Sequence, residues 1–404
     1  MTQPVIIQWS LSSFFGWGIY GLNLALHWAG DPALEPVCAS PIDPGQISVD
    51  PLRERVILPF LVRSIQFQAR IAQHADGAAS ADAPLLLALG NGFCGSPAAH
   101  KVVLHGQPTI GVVFFEDRLD AEAIERGKQL SLIVTGSTWS ERVLRAHGFD
   151  RVRTVLQGID PTQFHRAPQL GAMRERFLIF SGGKVELRKG QDIVLAAFKI
   201  FAKRHPEATL VTAWHSPWPH LARSLDQTGI AAPIVFDKDG KVDVRAWADA
   251  NEIAPDRVID LGNVPNVAMP PILREMDVAV FTNRAEGGTN LVAMECMATG
   301  IPVILSRNTG HLDLIEDDNC YPLHDQRAAP DRWASVGEVA CWGESQVDEV
   351  VERLEQVFAD RTEAERCGRR AAAMMKRFTW AETARQMKDV VLDAVGDGAR
   401  EEAA

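Results

Sequence analysis

Residues 277–302 read DVAVFTNRAEGGTNLVAMECMATGIP. An apolar run, DVAVFTN, leads through a short Gly-Gly loop into a helix-compatible segment, Leu291–Thr299. Gly287 and Gly288 allow a tight turn and close backbone approach to a ligand. Thr289 or Asn290 can cap the helix. Open N–H groups and the helix dipole then form an anion pocket of the kind a diphosphate fills. Glu286 precedes the loop. Glu295 sits one to two turns into the helix between Met294 and Cys296, so part of it borders the core. A buried carboxylate needs donors. Ribose hydroxyls would supply them, and so would a lysine or backbone amides.

Upstream, residues 180–190 read FSGGKVELRKG. An apolar strand ends at two glycines, with Gly183 the second. Lys184, Arg188 and Lys189 follow, and Gly190 opens another apolar-faced helix. Cations just past the carboxyl end of a strand lie where α/β sheets bind phosphate. They can balance charge on a leaving diphosphate. Arg188 is expected to be solvated.

The same alternation extends across the chain. Strands are expected at residues 5–9, 85–89, 109–115, 130–135 and 152–156. A second series follows at 177–181, 209–214, 234–236, 258–261, 278–282 and 302–305. Helices are expected at 19–29, 120–129, 138–147, 190–204, 244–251, 270–276 and 291–299, with an amphipathic one over 379–395. Two βα series imply two doubly wound parallel sheets. The expected division is 1–168, 169–378 and a terminal segment, 379–404.

The chain has 404 residues and a formal net charge of −11, which argues against nucleic acid as a main partner. The six cysteines, Cys38, Cys94, Cys296, Cys320, Cys341 and Cys367, show no C-x-x-C spacing. They read as reduced thiols, with no zinc site. Residues 1–30 carry no Lys, Arg, Asp or Glu. They lack the basic start of a signal peptide, and polar residues interrupt them too often for a membrane span. A soluble, cytoplasmic protein is expected. His215 and His220, in AWHSPWPH, read first as part of a packed surface loop.

The two quoted segments together resemble the retaining glycosyltransferases of the family-4 type, glycosyl transferases group 1, with the GT-B fold. VLQGIDPTQFH (155–165), LGNVPNVAMPPILREMDVAVF (261–281) and FTWAETARQM (378–387) resemble further motifs of that family, in order. The likeness covers about Leu130 to Met387 and is weak over the first hundred residues. It implies two Rossmann-like domains facing across a cleft, with the last helix returning to the N-domain. It also implies sugar transfer from a nucleotide-diphosphate sugar to a glycan, lipid-linked or small-molecule acceptor, with retention and without metal or other cofactor.

By this resemblance Lys184 and Lys189 contact the donor diphosphate, and Glu286 holds hydroxyls of the transferred sugar. Glu295 holds the ribose, and Gly287, Gly288, Thr289 and Asn290 line the donor. Gly16 and Gly18 belong to the N-domain loop near diphosphate and acceptor. Three departures stand out. The glutamates are spaced E-x8-E instead of E-x7-E. Lys184 replaces an arginine, losing bidentate geometry. Glu116 and Asp117 stand where the family often has His-Asp, which would put a carboxylate near the reacting carbon or on acceptor hydroxyls. The aromatics of FFGWGIY (14–20) fit either a lipid-linked acceptor or core packing, leaving room for a weak peripheral membrane contact. Another enzyme on this fold (an epimerase or phosphorylase) and a non-catalytic binding subunit stay open as alternatives.

Overall fold

The computed structural model describes residues 2–73, 77–95, 98, 101–116, 119–330 and 342–402, with side chains to residue 396. Asp117 and Cys341 lie outside the described residues. The chain forms two compact units. The first comprises Met1–Gly158, Pro265–Val267 and Phe378–Ala404; the second, Ile159–Val264 and Ala268–Arg377. Residues 159–168 thus pack with the second unit, not with the first, to which the sequence reading assigned them.

In the first unit, chain order gives β1 (Gln3–Gln8), α1 (Gly16–Trp28), β2 (Leu34–Cys38), α2 (Pro51–Ile71), β3 (Ala78–Ala81) and β4 (Leu85–Leu89). There follow β5 (Val103–Gly106), β6 (Thr109–Val113), α3 (Ala121–Lys128), β7 (Leu132–Thr135), α4 (Thr138–Ala146) and β8 (Val152–Thr154). The main sheet is parallel throughout, in the order β2-β1-β4-β6-β7-β8. Its inner strands β4, β6 and β7 are nearly continuous apolar runs, as burial on both faces requires, while the edge strands β2 and β8 carry exposed Glu35 and Arg153. α1 starts at Gly16, three residues before the expected helix.

The second unit contains β9 (Phe177–Gly182), α5 (Gln191–Arg204), β10 (Ala208–Ala213), α6 (Val244–Ala250), β11 (Val258–Asp260), α7 (Met269–Arg274) and β12 (Val278–Phe281). It continues through α8 (Leu291–Thr299), β13 (Val303–Ser306), β14 (Tyr321–Leu323), the pair β15 (Gln326–Ala328) and β16 (Gly343–Ser345), then α9 (Val347–Ala359) and α10 (Arg361–Met375). Its six-stranded parallel sheet runs β11-β10-β9-β12-β13-β14. Numbered within the unit, that is 3-2-1-4-5-6, the doubly wound order whose direction reverses between β9 and β12. Residues 234–236 form no strand. Pro233 precedes them, and the Asp237 carboxylate accepts from the amides of Asp239 and Lys241, which closes a tight turn. Only a bridge, Phe236 to Val242, remains.

The last helix, α11 (Trp380–Glu402), belongs to the first unit. Ala384 accepts from the indole of Trp28 at 3.0 Å, and Lys388 pairs with Asp31 at 2.7 Å. Near its start, Trp380 lies 5.8 Å from the Tyr20 ring. No helix among the described residues is long and apolar enough to cross a membrane.

Candidate functional site

Two loops leave the carboxyl ends of β9 and β12, the strands flanking the reversal point of the second sheet. Glycine makes the first loop fit. Gly190 has φ +70°, and a Cβ there would strike the carbonyl oxygen of Thr282. The Thr282 hydroxyl in turn donates to the Gly190 carbonyl at 2.6 Å. The second loop ends at Asn290, whose side chain caps α8 by accepting from the Ala293 amide. Asn290 takes φ +64°, a conformation asparagine tolerates better than most residues. Thr289 does not cap; its hydroxyl donates to the Met294 sulfur.

Backbone and side-chain bonds join the loops. The Arg284 amide donates to the Arg188 carbonyl at 2.7 Å, and the Arg188 guanidinium donates to the Ala285 carbonyl at 3.1 Å. Arg188 also reaches Glu286 at 3.1 Å and Glu186 at 2.6 Å. It is buried, which corrects the expectation of a solvated side chain. The physical reason is compensation: two carboxylates and a carbonyl replace the water that a lone guanidinium would keep.

Glu286 is the centre of this cluster. One carboxylate oxygen accepts from Lys189 and Asn283, the other from Arg188. The Glu286 amide donates to Thr309 at 2.7 Å, and its carbonyl accepts from the Gly310 amide. Burial alone would raise the Glu286 carboxyl. Lys189 and Arg188, with His311, outweigh it and hold the group well below the usual carboxylate range. Burial lowers Lys189 despite the pull of Glu286. For Glu186 burial also raises, but Arg188 and Lys184 prevail, so it too is lowered. Glu286 and Glu186 therefore stay ionised at neutral pH.

Around this centre stands a shell that sequence reasoning missed. Arg284, wholly buried, grips Asp192 through two bonds of 3.0 and 2.8 Å and reaches Glu344 at 2.9 Å. It thereby ties the β12 loop to α5 and β16. His311 bonds Asn290 at 3.1 Å and Ser306 at 2.9 Å. Burial pushes His311 down to about 4, so the ring is neutral at physiological pH. Its neighbour Gly310 packs so closely on the carbonyl oxygens of Gly288 and Glu286 that a Cβ there would collide. A single sequence gives no signal for these contacts, because each joins residues distant along the chain.

The remaining expected residues of the second unit fall as follows. Gly183 adopts φ +120°, open only to glycine, and its neighbour Lys184 is one-third exposed. The Lys184 ammonium lies 3.4 Å from Glu186 and 5.3 Å from the centre of the Trp218 ring. Gly287 and Gly288 are buried in the loop, and Glu295 is buried on α8 beside Cys296, whose thiol burial and that carboxylate push up. Lys184, Lys189, Glu286 and the Gly287–Asn290 loop therefore share one end of one sheet, and Arg188 joins them. His215 is half-buried and lowered, by burial first and then by Lys241. His220 is exposed.

In the first unit, Gly16 opens α1, and Gly18 packs so tightly on Ser12 that a Cβ would collide. Trp17 and Phe114 meet edge-on at 4.6 Å, which brings the start of α1 to the end of β6. Glu116 follows two residues later, its amide bonded to Asn91 at 2.9 Å. Gly16, Gly18 and Glu116 thus share the carboxyl edge of the first sheet. Of the aromatics of residues 14–20, Tyr20 is buried and stacks on Trp9 at 5.7 Å, while Phe14, Phe15 and Trp17 are part-buried. Among the described residues, no cluster of His, Cys, Asp and Glu is suited to hold a metal.

The sequence profile of Glycosyl transferases group 1 matches residues 163–374, more than half of the chain. A D-inositol 3-phosphate glycosyltransferase of Corynebacterium kroppenstedtii is 26% identical over 258 residues, covering 62% of this chain and 49% of that protein. The chain spans about half the length of the curated relatives it matches. Sucrose-phosphate synthase from Thermosynechococcus elongatus shares the fold, with a TM-score of 0.63 at 15% identity, over 98% of this chain and 100% of that one. Anabaena HepE in complex with UDP-glucose superposes with a TM-score of 0.59 at 14% identity, over 96% and 99% of the two chains. The fold is therefore that of two-domain glycosyltransferases, and the chain belongs to the Glycosyl transferases group 1 family.

Proposed function

We propose that this chain transfers a glycosyl group from a nucleotide-diphosphate sugar to an acceptor hydroxyl. One observation carries the reading: the cations Lys184, Arg188 and Lys189 and the carboxylate Glu286 meet the start of α8 at the reversal point between β9 and β12. That crevice is where doubly wound sheets take nucleotides. A lysine has three donors. Lys189 gives one to Glu286 and keeps others for a phosphate oxygen. Lys184, one-third exposed, adds positive charge at the mouth. Glu286 meets three donors among the described residues and retains acceptor capacity for a sugar hydroxyl. Glu295 is assigned to the ribose. HepE has been solved with UDP and with UDP-glucose, which supports a nucleotide-sugar donor for this fold.

In the transfer, the bond from the anomeric carbon to the diphosphate oxygen breaks, and its electron pair leaves with the diphosphate. The acceptor oxygen forms the new bond, and its proton passes to the departing diphosphate oxygen. Lys184, Lys189 and the amides at the α8 start stabilise the departing charge, taking the part a metal plays elsewhere. Retention of configuration is part of the proposal. So is an acceptor-side role for Gly16, Gly18 and Glu116, with the Glu116 carboxylate facing positive charge on the reacting carbon or acceptor hydroxyls.

A thermal-shift series with UDP, GDP, ADP and their sugars tests the donor class. One nucleotide should raise the melting temperature of the wild type and not that of Lys189→Ala. If no nucleoside diphosphate stabilises the protein, the reading fails. Donor turnover without acceptor would assign an epimerase instead. Activity should survive chelator; strict dependence on a divalent ion would overturn the metal-free route.

A further inference from the structure

α2 is the feature that donor chemistry does not use. Its buried side is complete: Ile57, Phe60, Ser64 and Ile71 face the unit's interior. The Ser64 hydroxyl accepts from the Cys38 amide at 2.8 Å, and Gln68 donates to the carbonyls of Cys38 and Ser40. The helix is therefore firmly seated on the end of β2. Its outer side is nevertheless apolar. Leu52, Val56, Leu58, Val62 and Ile65 are five of the eleven strongly exposed large apolar side chains among the described residues. Leu52 is 79% exposed and Ile65 59%.

Helical spacing puts these residues together. Leu52, Val56, Pro59, Arg63 and Arg70 follow one stripe, and Leu58, Val62 and Ile65 form a second beside it. Arg55 falls between the two. α2 carries four arginines and one glutamate, in a chain whose net charge is −11. Arg53 pairs with Asp50 and Arg63 with Glu35, while Arg55 and Arg70 stand exposed beside the apolar surface. Next to α2 lies a cleft of about 260 Å³ lined by Ile6, Glu35, Val37, Phe67, Arg63 and Arg70, among others. Within it the Arg63 Nε lies 3.7 Å from the Glu35 carboxylate, an ion pair too long for a hydrogen bond.

We propose that the outer face of α2 docks on an anionic lipid surface, lying in the plane of the interface. Exposed Leu, Val and Ile side chains would enter the acyl boundary, while the arginines pair with headgroup phosphates. A second copy of the chain fits the face poorly. In a two-fold contact the α2 faces would meet, and the arginines of the two copies would oppose one another. This inference is independent of the donor assignment.

Flotation of the full chain with phosphatidylcholine vesicles, with and without phosphatidylglycerol, tests it. The protein should float with the anionic vesicles and stay behind with phosphatidylcholine alone, and high salt should reverse the binding. Arg55→Glu with Arg70→Glu should weaken partition by well over ten-fold, since each arginine near the surface is worth about five-fold. Leu58→Ser with Val62→Ser and Ile65→Ser should abolish it. All five positions are exposed, so unchanged melting temperatures are expected to certify the fold. No flotation with anionic vesicles, or flotation indifferent to both sets, would overturn the proposal. So would a dimer in light scattering that the same substitutions dissociate.

Discussion

The carboxyl edges of the two sheets are built from opposite materials. In the second unit the edge is ionic: Lys189, Arg188, Glu186 and Glu286 lock together, and Arg284, Asp192 and Glu344 brace them from behind. In the first unit the edge is aromatic, with Trp9, Trp17, Tyr20 and Phe114 in mutual contact. The same doubly wound architecture therefore builds one edge from fixed charge and the other from rings, of which Trp17 and Phe114 are part-exposed. Fixed charge suits a ligand of constant chemistry, such as a diphosphate. Ring surface suits a partner recognised by shape and stacking.

The contrast breaks first at Arg284. Arg284→Ala leaves Asp192 buried with its main partner gone, and should cost about 3–5 kcal/mol in urea unfolding of the second unit. An effect below ~1 kcal/mol would mean the bracing is ornamental. Gly190→Ala comes next. Its φ of +70° and its contact with Thr282 should make the change cost roughly 1–3 kcal/mol, with weakened donor binding.

Binding sharpens the comparison further. Lys189→Ala should reduce donor affinity about ten- to hundred-fold, the worth of a charge-assisted hydrogen bond. Lys184→Ala should reduce it less, because that side chain is part-solvated. Trp17→Ala, on the aromatic edge, should leave donor affinity unchanged and raise the acceptor KM. Equal effects of Lys189→Ala and Trp17→Ala on donor affinity would erase the distinction.

The last effect is with pH. His311 is held at about 4, below an unfolded value near 6.5. The unfolded chain then binds the extra proton. Stability from this group is present above about 6.5 and declines as pH falls toward 4. Glu286, also lowered, adds a loss at more acid pH, below the ordinary carboxylate range. Urea midpoints from pH 7 to pH 4 should fall, and His311→Gln should flatten the upper part of that slope.

Much of this was legible because parallel strands announce themselves. Runs such as LLLAL and VAVF, followed by glycine loops, located β4, β12 and the α8 start. What stayed hidden has physical causes. α2 shows no single apolar stripe, because Leu52, Val56 and Ile65 face outward and Pro59 interrupts the pattern. Arg188 reads as a surface residue until Glu186 and Glu286 are seen beside it. Arg284 and His311 gain their roles only through contacts with Asp192, Asn290 and Ser306. Buried polar networks are long-range by construction, and local pattern does not encode them.

Hydrogen exchange of the backbone, read with and without the nucleoside diphosphate that stabilises the protein, goes to the heart of the matter. Added ligand should slow exchange over residues 183–190 and 286–293 together, and Lys189→Ala should remove that protection at the same ligand concentration. Protection confined to other segments, or unchanged in Lys189→Ala, would contradict a diphosphate seat between β9 and β12.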